Sequence, residues 1–299
     1  MSITHHQYRV EDFSRVSDFL IAHYLPENSD GNWLQPAWEY MYTHPELDET
    51  SLNKIRIWEE HGEIVAVVHY EHRLGEAFFQ VHPDYTALKP EMLEYAESTF
   101  RGISKEGRSY LHVFVNDFDG AFKTHVQSKE YIRVEAEDRP VAMMNIPRHF
   151  PEQTVPEGCI IKSLADDNDL YKINRVLWRG FNHHGEPPEE TGDIEDRRKM
   201  QSGPHFRKDL TIVVEAPSGN YVTFAGLWLV PQKYYCYVEP VATDPAFRKK
   251  GLGMTAVLEG IRRCGELGAT VAYVGSDKLF YHKLGFRKIY TAECWEKVW

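Results

Sequence analysis

Apolar residues at Met254, Val257, Leu258, Ile261 and Cys264 recur at i, i+3, i+4, i+7 and i+10, the spacing of one helix face. Gly265 and Gly268 supply a stop. Upstream, Tyr234 to Thr243 reads as a strand, and Asp244-Pro245 turns the chain into Arg248-Lys249-Lys250-Gly251-Leu252-Gly253. The same method orders the chain before it. Tyr8 to Val10 predicts a short strand, and Phe13, Val16, Phe19 and Leu20 a helix. A tract with Trp33, Trp38, Tyr40, Tyr42 and His44 predicts a second helix with its loops. Strands follow over Lys54 to Glu59 and Glu63 to Glu71, with His61-Gly62 as a hairpin turn, and then over Ala77 to Val81. A helix from Pro90 to Arg101 takes proline at its start. A strand from Tyr110 to Val115, a helix from Asp119 to Val126, and closing strands over Tyr131 to Glu135 and Val141 to Ile146 complete the first half.

The order then restarts. Prolines at 147, 151 and 156 mark a polar run that reads as a linker. Ile160 to Leu164 reads as a strand, Asn168 to Phe181 and Ile194 to Gln201 as helices, and Leu210 to Glu215 and Tyr221 to Leu229 as strands. After the 254–264 helix come a strand from Thr270 to Gly275, a helix from Asp277 to Lys283, and closing strands to Trp299. Such self-similarity is the mark of an internal repeat. The expected division is a domain over 1–150, a linker over 151–158 and a domain over 159–299.

Composition narrows the class. The chain has 299 residues, is 42% hydrophobic and 13% aromatic, and carries a formal charge of −11. That suits globular domains with real cores and argues against a nucleic-acid surface. Cys159, Cys236, Cys264 and Cys294 lack C-x-x-C spacing and read as structural thiols in a reducing compartment. The first residues lack the apolar stretch of a signal peptide, and no run is long enough to span a membrane. Cytoplasmic residence is the expectation. Oligomeric state is not readable.

A strand delivering a basic, glycine-broken loop onto a helix N-terminus is an anion-binding device, because first-turn N–H groups lack intrahelical partners and the helix dipole favours negative charge. Gly251 and Gly253 let a phosphate approach the backbone, and Arg248, Lys249 and Lys250 add charge. The loop matches neither G-x-x-x-x-G-K-[ST] nor G-x-G-x-x-G.

What it does match is R-x-x-G-x-G after a strand ending V-A-T-D-P. This resembles the acyl-CoA motif of the GNAT superfamily of N-acetyltransferases. Tyr281, Lys283, Gly285 and Phe286 are similar to that family's Y-x-K-x-G-F box. The resemblance implies an α/β (α+β) fold of two tandem GNAT-like domains, each a mixed, mostly antiparallel sheet flanked by helices. It implies acetyl-CoA as co-substrate and an amine acceptor. Val241, Ala242 and Thr243 would offer backbone groups to the pantetheine arm, and Arg248 to Met254, Leu252 included, would cradle the diphosphate. Glu239 is the candidate base and Tyr281 the candidate acid. Alternation places Tyr237, Glu239 and Val241 on one face. Gly275-Ser276 stands near where the family often has asparagine.

Aligning Pro83 with Pro245 puts Val81 over Thr243, Thr86 over Arg248, Lys89 over Gly251 and Glu91 over Gly253; Val126 falls near Tyr281. The first half then reads as a degenerate copy, with an unrelated α+β domain as the alternative. Cys236 offers a rival acyl-cysteine route but should point away from the Glu239 face. His183, His184 and His205 read as solvated loop histidines, and no metal is expected. Glu186, Glu189, Glu190, Asp193, Glu195 and Asp196 lie where the resemblance places the acceptor pocket, though a solvated charge run is the commoner meaning. A small-molecule amine is the expected acceptor. A protein or peptide amine, or a non-enzymatic CoA-binding regulatory module, are the alternatives.

Overall fold

A computed structural model describes residues 3–150, 153–188 and 191–299, and the chain divides into two units, Met1–Val141 with Lys288–Trp299, and Ala142–Arg287. The first unit opens with β1 (Thr4–Gln7), α1 (Asp12–His23) and α2 (Gln35–Thr43). β2 (Arg56–Glu60), β3 (Glu63–His69) and β4 (Glu76–Val81) form an antiparallel meander. His61 and Gly62 both take positive φ, as a two-residue hairpin turn requires. α3 (Lys89–Thr99), β5 (Gly102–Ile103), β6 (Ser109–Asn116), α4 (Gly120–Ser128) and β7 (Ile132–Arg133) follow. The first strand lies earlier than Tyr8 to Val10: Tyr8 N–H still donates to the Ile55 carbonyl at 2.8 Å with its side chain in the core, and the chain then turns into α1. The expected strand over Tyr131 to Glu135 shrinks to two residues, with a 3-10 turn at Glu135–Glu137.

β8 (Arg139–Asn145) leads into the second unit. There lie β9 (Ile160–Ser163), α5 (Leu170–Gly180), α6 (Thr191–Met200), β10 (Ile212–Glu215), β11 (Tyr221–Val230), β12 (Tyr235–Thr243), α7 (Leu252–Glu266), β13 (Val271–Val274) and α8 (Leu279–Leu284). β14 (Arg287–Val298) ends the chain as one long strand.

Each unit has the same sheet. The first runs β1-β2-β3-β4-β6-β14 and the second β9-β10-β11-β12-β13-β8. In both, one parallel pair (β4 with β6, β12 with β13) interrupts antiparallel neighbours, so each sheet is mixed and mostly antiparallel. The sixth strand of each sheet comes from the other repeat's stretch of sequence. That is why the division differs from one at 150 and 159: Lys288–Trp299 completes the first sheet, while Ala142–Asn145 completes the second.

The proline run also behaves differently from a free linker where it is described. Ile146, Phe150 and Val155 pack on the second unit's core, and the Thr255 hydroxyl donates to the Thr154 carbonyl at 3.4 Å. Apolar residues, not only prolines, decide this stretch. In the second unit α7 covers one sheet face through Leu252, Ala256, Val257, Ile261 and Cys264. α5 covers the other through Ile173, Val176 and Leu177. Gly260 lets α7 lie close on β11: a Cβ there would meet Leu227 at 2.0 Å.

Candidate active site

The site begins where two strands part. β12 and β13 pair only from Tyr235 with Val271 to Tyr237 with Tyr273. Beyond Tyr237, β12 keeps its ladder with β11 alone. Asp244 N–H donates to the Val222 carbonyl at 2.9 Å, so the antiparallel alternation gives Ala242 and Asp244 the bonds to β11. The backbone groups of Val241 and Thr243 point toward the opening. The Thr243 carbonyl accepts from Arg248 Nε at 3.1 Å.

A bulge sits at the fork. Val238 pairs with Leu227 and Val241 with Ala225, so Glu239 and Pro240 together face Gly226. The Glu239–Pro240 peptide is cis. The bulge crowds its neighbour: a Cβ on Gly226 would meet the Glu239 carbonyl oxygen at 2.3 Å. Trp228 Nε1 donates to that same carbonyl at 2.9 Å. A glycine inside one strand and a proline inside the next are the signals of this feature.

The bulge resets the alternation. Cys236, Val238 and Val241 all join the α7 side of the core, while Ala242 joins the α5 side. The expectation that Tyr237, Glu239 and Val241 share a face is therefore corrected: an extra residue shifts Val241 by one phase. Cys236 is fully buried beside Cys264, and that contact together with burial raises its thiol pKa well above the ordinary range. A buried thiol held neutral is a poor nucleophile.

Tyr281 lies on α8, with Phe280 and Phe286 edge-on to its ring at centroid distances of 4.9 and 5.7 Å. Gly285 ends that helix at φ +101, and Phe286 N–H returns to the Tyr281 carbonyl at 3.1 Å. Burial first, and the charge of Glu239 second, push the Tyr281 phenol up to about 12. The two candidate residues thus act on one another electrostatically, and the phenol keeps its proton throughout the physiological range. Glu239 itself is half-buried.

The anion loop divides into distinct roles. Gly251 takes φ +82 as N-cap of α7, with open space where a side chain would stand. Among the described residues no side chain caps this helix end. Gly253 matters for packing, since a Cβ there would meet the Thr243 hydroxyl at 3.0 Å. Leu252 points into the core, so only its backbone faces the loop side, and Met254 is half-buried against the same core. Lys249 and Lys250 are exposed, and Lys250 Nζ lies 4.7 Å from the Phe247 ring centre. Arg248 bridges two carbonyls, Thr243 and Gly180, the latter at 2.7 Å from Nη2. It braces the strand end against α5.

Sequence reasoning missed the anchor behind this loop. Asp244 is 1% exposed and takes a bidentate pair from Arg179 at 2.6 and 3.1 Å, with Arg175 at 3.5 Å. It also accepts from Ala246 N–H at 3.0 Å. Burial pushes its carboxyl up, but the Arg179 hydrogen bonds, the Ala246 N–H and the two guanidinium charges outweigh that and hold it below the usual range. The D of V-A-T-D-P was its only signal. Its partners lie on a distant helix, at i and i+4. Glu186 is tied to the same arginines at 2.7 and 3.0 Å. Asp193 pairs with Asn174 and Glu195 with Arg198, while Glu189 and Glu190 lie outside the described residues. Much of the acidic run is therefore engaged by neighbouring side chains.

Residues 168–286 match the acetyltransferase (GNAT) family. No curated protein matches the sequence significantly. Among solved structures, a GCN5-related N-acetyltransferase from Sphaerobacter thermophilus is similar at TM-score 0.67 and 13% identity, covering 99% of this chain and 95% of its own. A tandem GNAT protein from the clavulanic acid biosynthesis pathway gives TM-score 0.66 at 13% identity, with 99% and 98% covered. Saccharomyces cerevisiae N-myristoyltransferase with bound myristoyl-CoA gives 0.56 at 13%, with 99% and 78% covered. No described helix is long and apolar enough to cross a membrane. Residues 168–286 thus match the acetyltransferase (GNAT) family, and nearly the whole chain shares the fold of a tandem GNAT protein.

Proposed function

We propose that the second unit transfers an acetyl group from acetyl-CoA to the amine of a small molecule. The observation that carries this reading is the fork itself. Backbone groups of Val241 and Thr243, the uncapped N-terminus of α7, Glu239 and Tyr281 all belong to the parting of β12 and β13.

In this reading acetyl-CoA lays its pantetheine along β12 as a surrogate strand, and its diphosphate meets the first-turn N–H groups behind Gly251. Strand groups directed at the thioester oxygen stabilise the charge that develops there. A lysine-like amine arrives mostly as ammonium, since its pKa is near 10.4. Glu239 accepts its proton, directly or through water, and the neutral nitrogen attacks the carbonyl carbon. As the tetrahedral centre collapses the nitrogen releases its second proton to solvent, the C–S bond breaks, and Tyr281 gives its proton to the departing thiolate and regains one from solvent. Asp244, Arg175, Arg179 and Arg248 hold the loop and strand end in place.

A screen of amines that follows CoA-thiol release tests the reading. Turnover with a low-molecular-weight amine, lost in Tyr281→Phe, supports it. Turnover confined to peptide or protein amines would replace the small-molecule acceptor with a macromolecular one. Acetyl-CoA binding without turnover on any amine would leave a CoA-binding module.

A further inference from the structure

The first unit carries a cluster that the reaction does not use. His44 ends α2, Glu46 follows it, and His72 lies in the turn after β3. One ligand atom from each lies within 4.8 Å of the others. The two histidine rings stand 4.7 Å apart at 61°.

The segments that carry them are fixed to one another. Asp48 N–H donates to the His72 carbonyl at 2.6 Å, and the Tyr70 hydroxyl donates to the Asp48 carbonyl at 2.6 Å. Tyr70 is fully buried, so this tie is rooted in the core. Leu47 N–H returns to the His44 carbonyl at 3.2 Å, closing the turn that aims His44 and Glu46. His44 Nδ1 accepts from the Glu46 N–H at 3.3 Å, and Glu71 lies 3.9 Å from His72 Nδ1. A carboxylate behind a ligating imidazole is the usual second partner of a metal-bound histidine.

The geometry points to a Zn2+ site formed by His44, Glu46 and His72, clipping the end of α2 to the β3–β4 turn. Two imidazoles and one carboxylate suit zinc, with water as fourth ligand, whereas magnesium and calcium prefer all-oxygen sets. Tetrahedral bonds of about 2.0–2.1 Å need donor atoms about 3.3 Å apart. The donor atoms already lie within 4.8 Å of one another, and the exposed Glu46 side chain is the arm that would swing in to close the remaining gap.

The test uses the full chain stripped with EDTA. Zinc chloride titrated by calorimetry should bind with one equivalent that magnesium chloride does not compete away. The paired change His44→Ala with His72→Ala should weaken that equivalent by at least roughly tenfold, the scale of losing supporting metal contacts. His183→Ala with His184→Ala should leave it in place. Cobalt substitution supplies a second readout: a tetrahedral visible spectrum that the His44/His72 variant lacks. Equal zinc binding in parent and His44/His72 variant, with circular dichroism showing both folded, would overturn the site. So would the absence of any zinc retained by the parent.

Discussion

The two units solve the same structural problem in opposite ways. In each, the fourth and fifth strands run parallel for only a few residues and then part. In the first unit β4 and β6 pair at Glu76 with His112 and Ala77 with Val113, and the very next residues, Phe78 and Phe114, stack at 4.4 Å and 3°. The Asn32 side chain then takes the backbone of β4: its amide donates to the Val81 carbonyl at 3.1 Å and accepts from Val81 N–H at 2.7 Å. Trp33 closes beside it, its N–H on Gln80 at 2.6 Å and its ring against His69 and Phe78. Val81 is the residue that aligns with Thr243. The chain's own amide thus takes the strand backbone in one unit, where in the other the Thr243 carbonyl accepts from Arg248 at 3.1 Å and, among the described residues, no side-chain amide takes its place.

The loops differ in the same sense. Lys89, at the Gly251 position, pairs with Asp119, and Glu91, at the Gly253 position, accepts from Trp58 Nε1 at 2.8 Å. A carboxylate at a helix start stabilises the helix but repels a diphosphate. The β3–β4 ladder also runs in register from His69 with Phe78 to Ala66 with Val81, where β11 and β12 carry a bulge. What distinguishes a candidate reactive fork from a filled one is therefore three local substitutions: glycines in the loop, an extra residue in the strand, and no amide plug.

The largest expected effect tests whether only the second fork reacts. Tyr281→Phe should lower kcat by roughly ten- to ten-thousand-fold, with a smaller change in KM for acetyl-CoA, as for a positioned proton donor. Unchanged turnover would reduce Tyr281 to a packing residue and blur the contrast with Val126. Glu239→Gln should depress kcat/KM for the amine and flatten the acidic limb of the pH profile, while acetyl-CoA affinity stays near that of the parent. A rate and pH dependence equal to the parent's would remove Glu239 as base.

Next comes stoichiometry. Titration calorimetry should find one acetyl-CoA per chain, and Gly251→Glu should weaken it because φ +82 and an added negative charge both oppose the helix-start geometry. Asn32→Ala should cost about 1–3 kcal/mol by leaving the Val81 backbone without its partner. It should not create a second binding event. Two comparable sites in the parent would dissolve the distinction between the units.

Much of this was legible beforehand. The repeat, the order of elements along the chain and the motif positions follow from periodicity and turn residues, which are local signals. The candidate site was legible as far as R-x-x-G-x-G and Y-x-K-x-G-F carry it. Four features escaped for one reason: each depends on pairing across sequence distance. The exchange of the sixth strands is invisible to periodicity, because Lys288–Trp299 alternates equally well in either sheet. The bulge required reading Gly226 and Pro240 together, and the Asp244 anchor required Arg175 and Arg179 on α5. The Asn32 plug depends on one amide meeting one backbone position 49 residues away.

The bulge offers a smaller, structural test. Gly226→Ala puts a Cβ about where the Glu239 carbonyl lies, 2.3 Å away, and backbone must move. Overpacking of this kind costs about 1–3 kcal/mol. The expected outcome is a lowered Tm together with a fall in kcat/KM for the amine, since the carbonyl that shifts belongs to Glu239. A lowered Tm with unaltered kinetics would separate the bulge from the chemistry.

The finest test concerns the mutual influence of Glu239 and Tyr281. An ordinary tyrosine ionises near 10. Here burial, then the Glu239 charge, raise Tyr281 to about 12. The sign follows directly. A raised folded-state pKa means the unfolded chain ionises first, so the stability contribution is whole below pH about 10 and declines as pH rises toward about 12. For catalysis, the donor form persists across the same window, and the alkaline limb of kcat should lie above the position expected for a free phenol. Bulk absorbance cannot isolate this group, because burial also raises Tyr70 and Tyr221. The limb of kcat can. Glu239→Gln removes the charge but leaves the burial, so whatever turnover remains should lose its alkaline limb at a lower pH than the parent. If both limbs coincide, the Glu239 charge is not felt at Tyr281. The fork would then hold a base and an acid that act on different molecules, or only one of them.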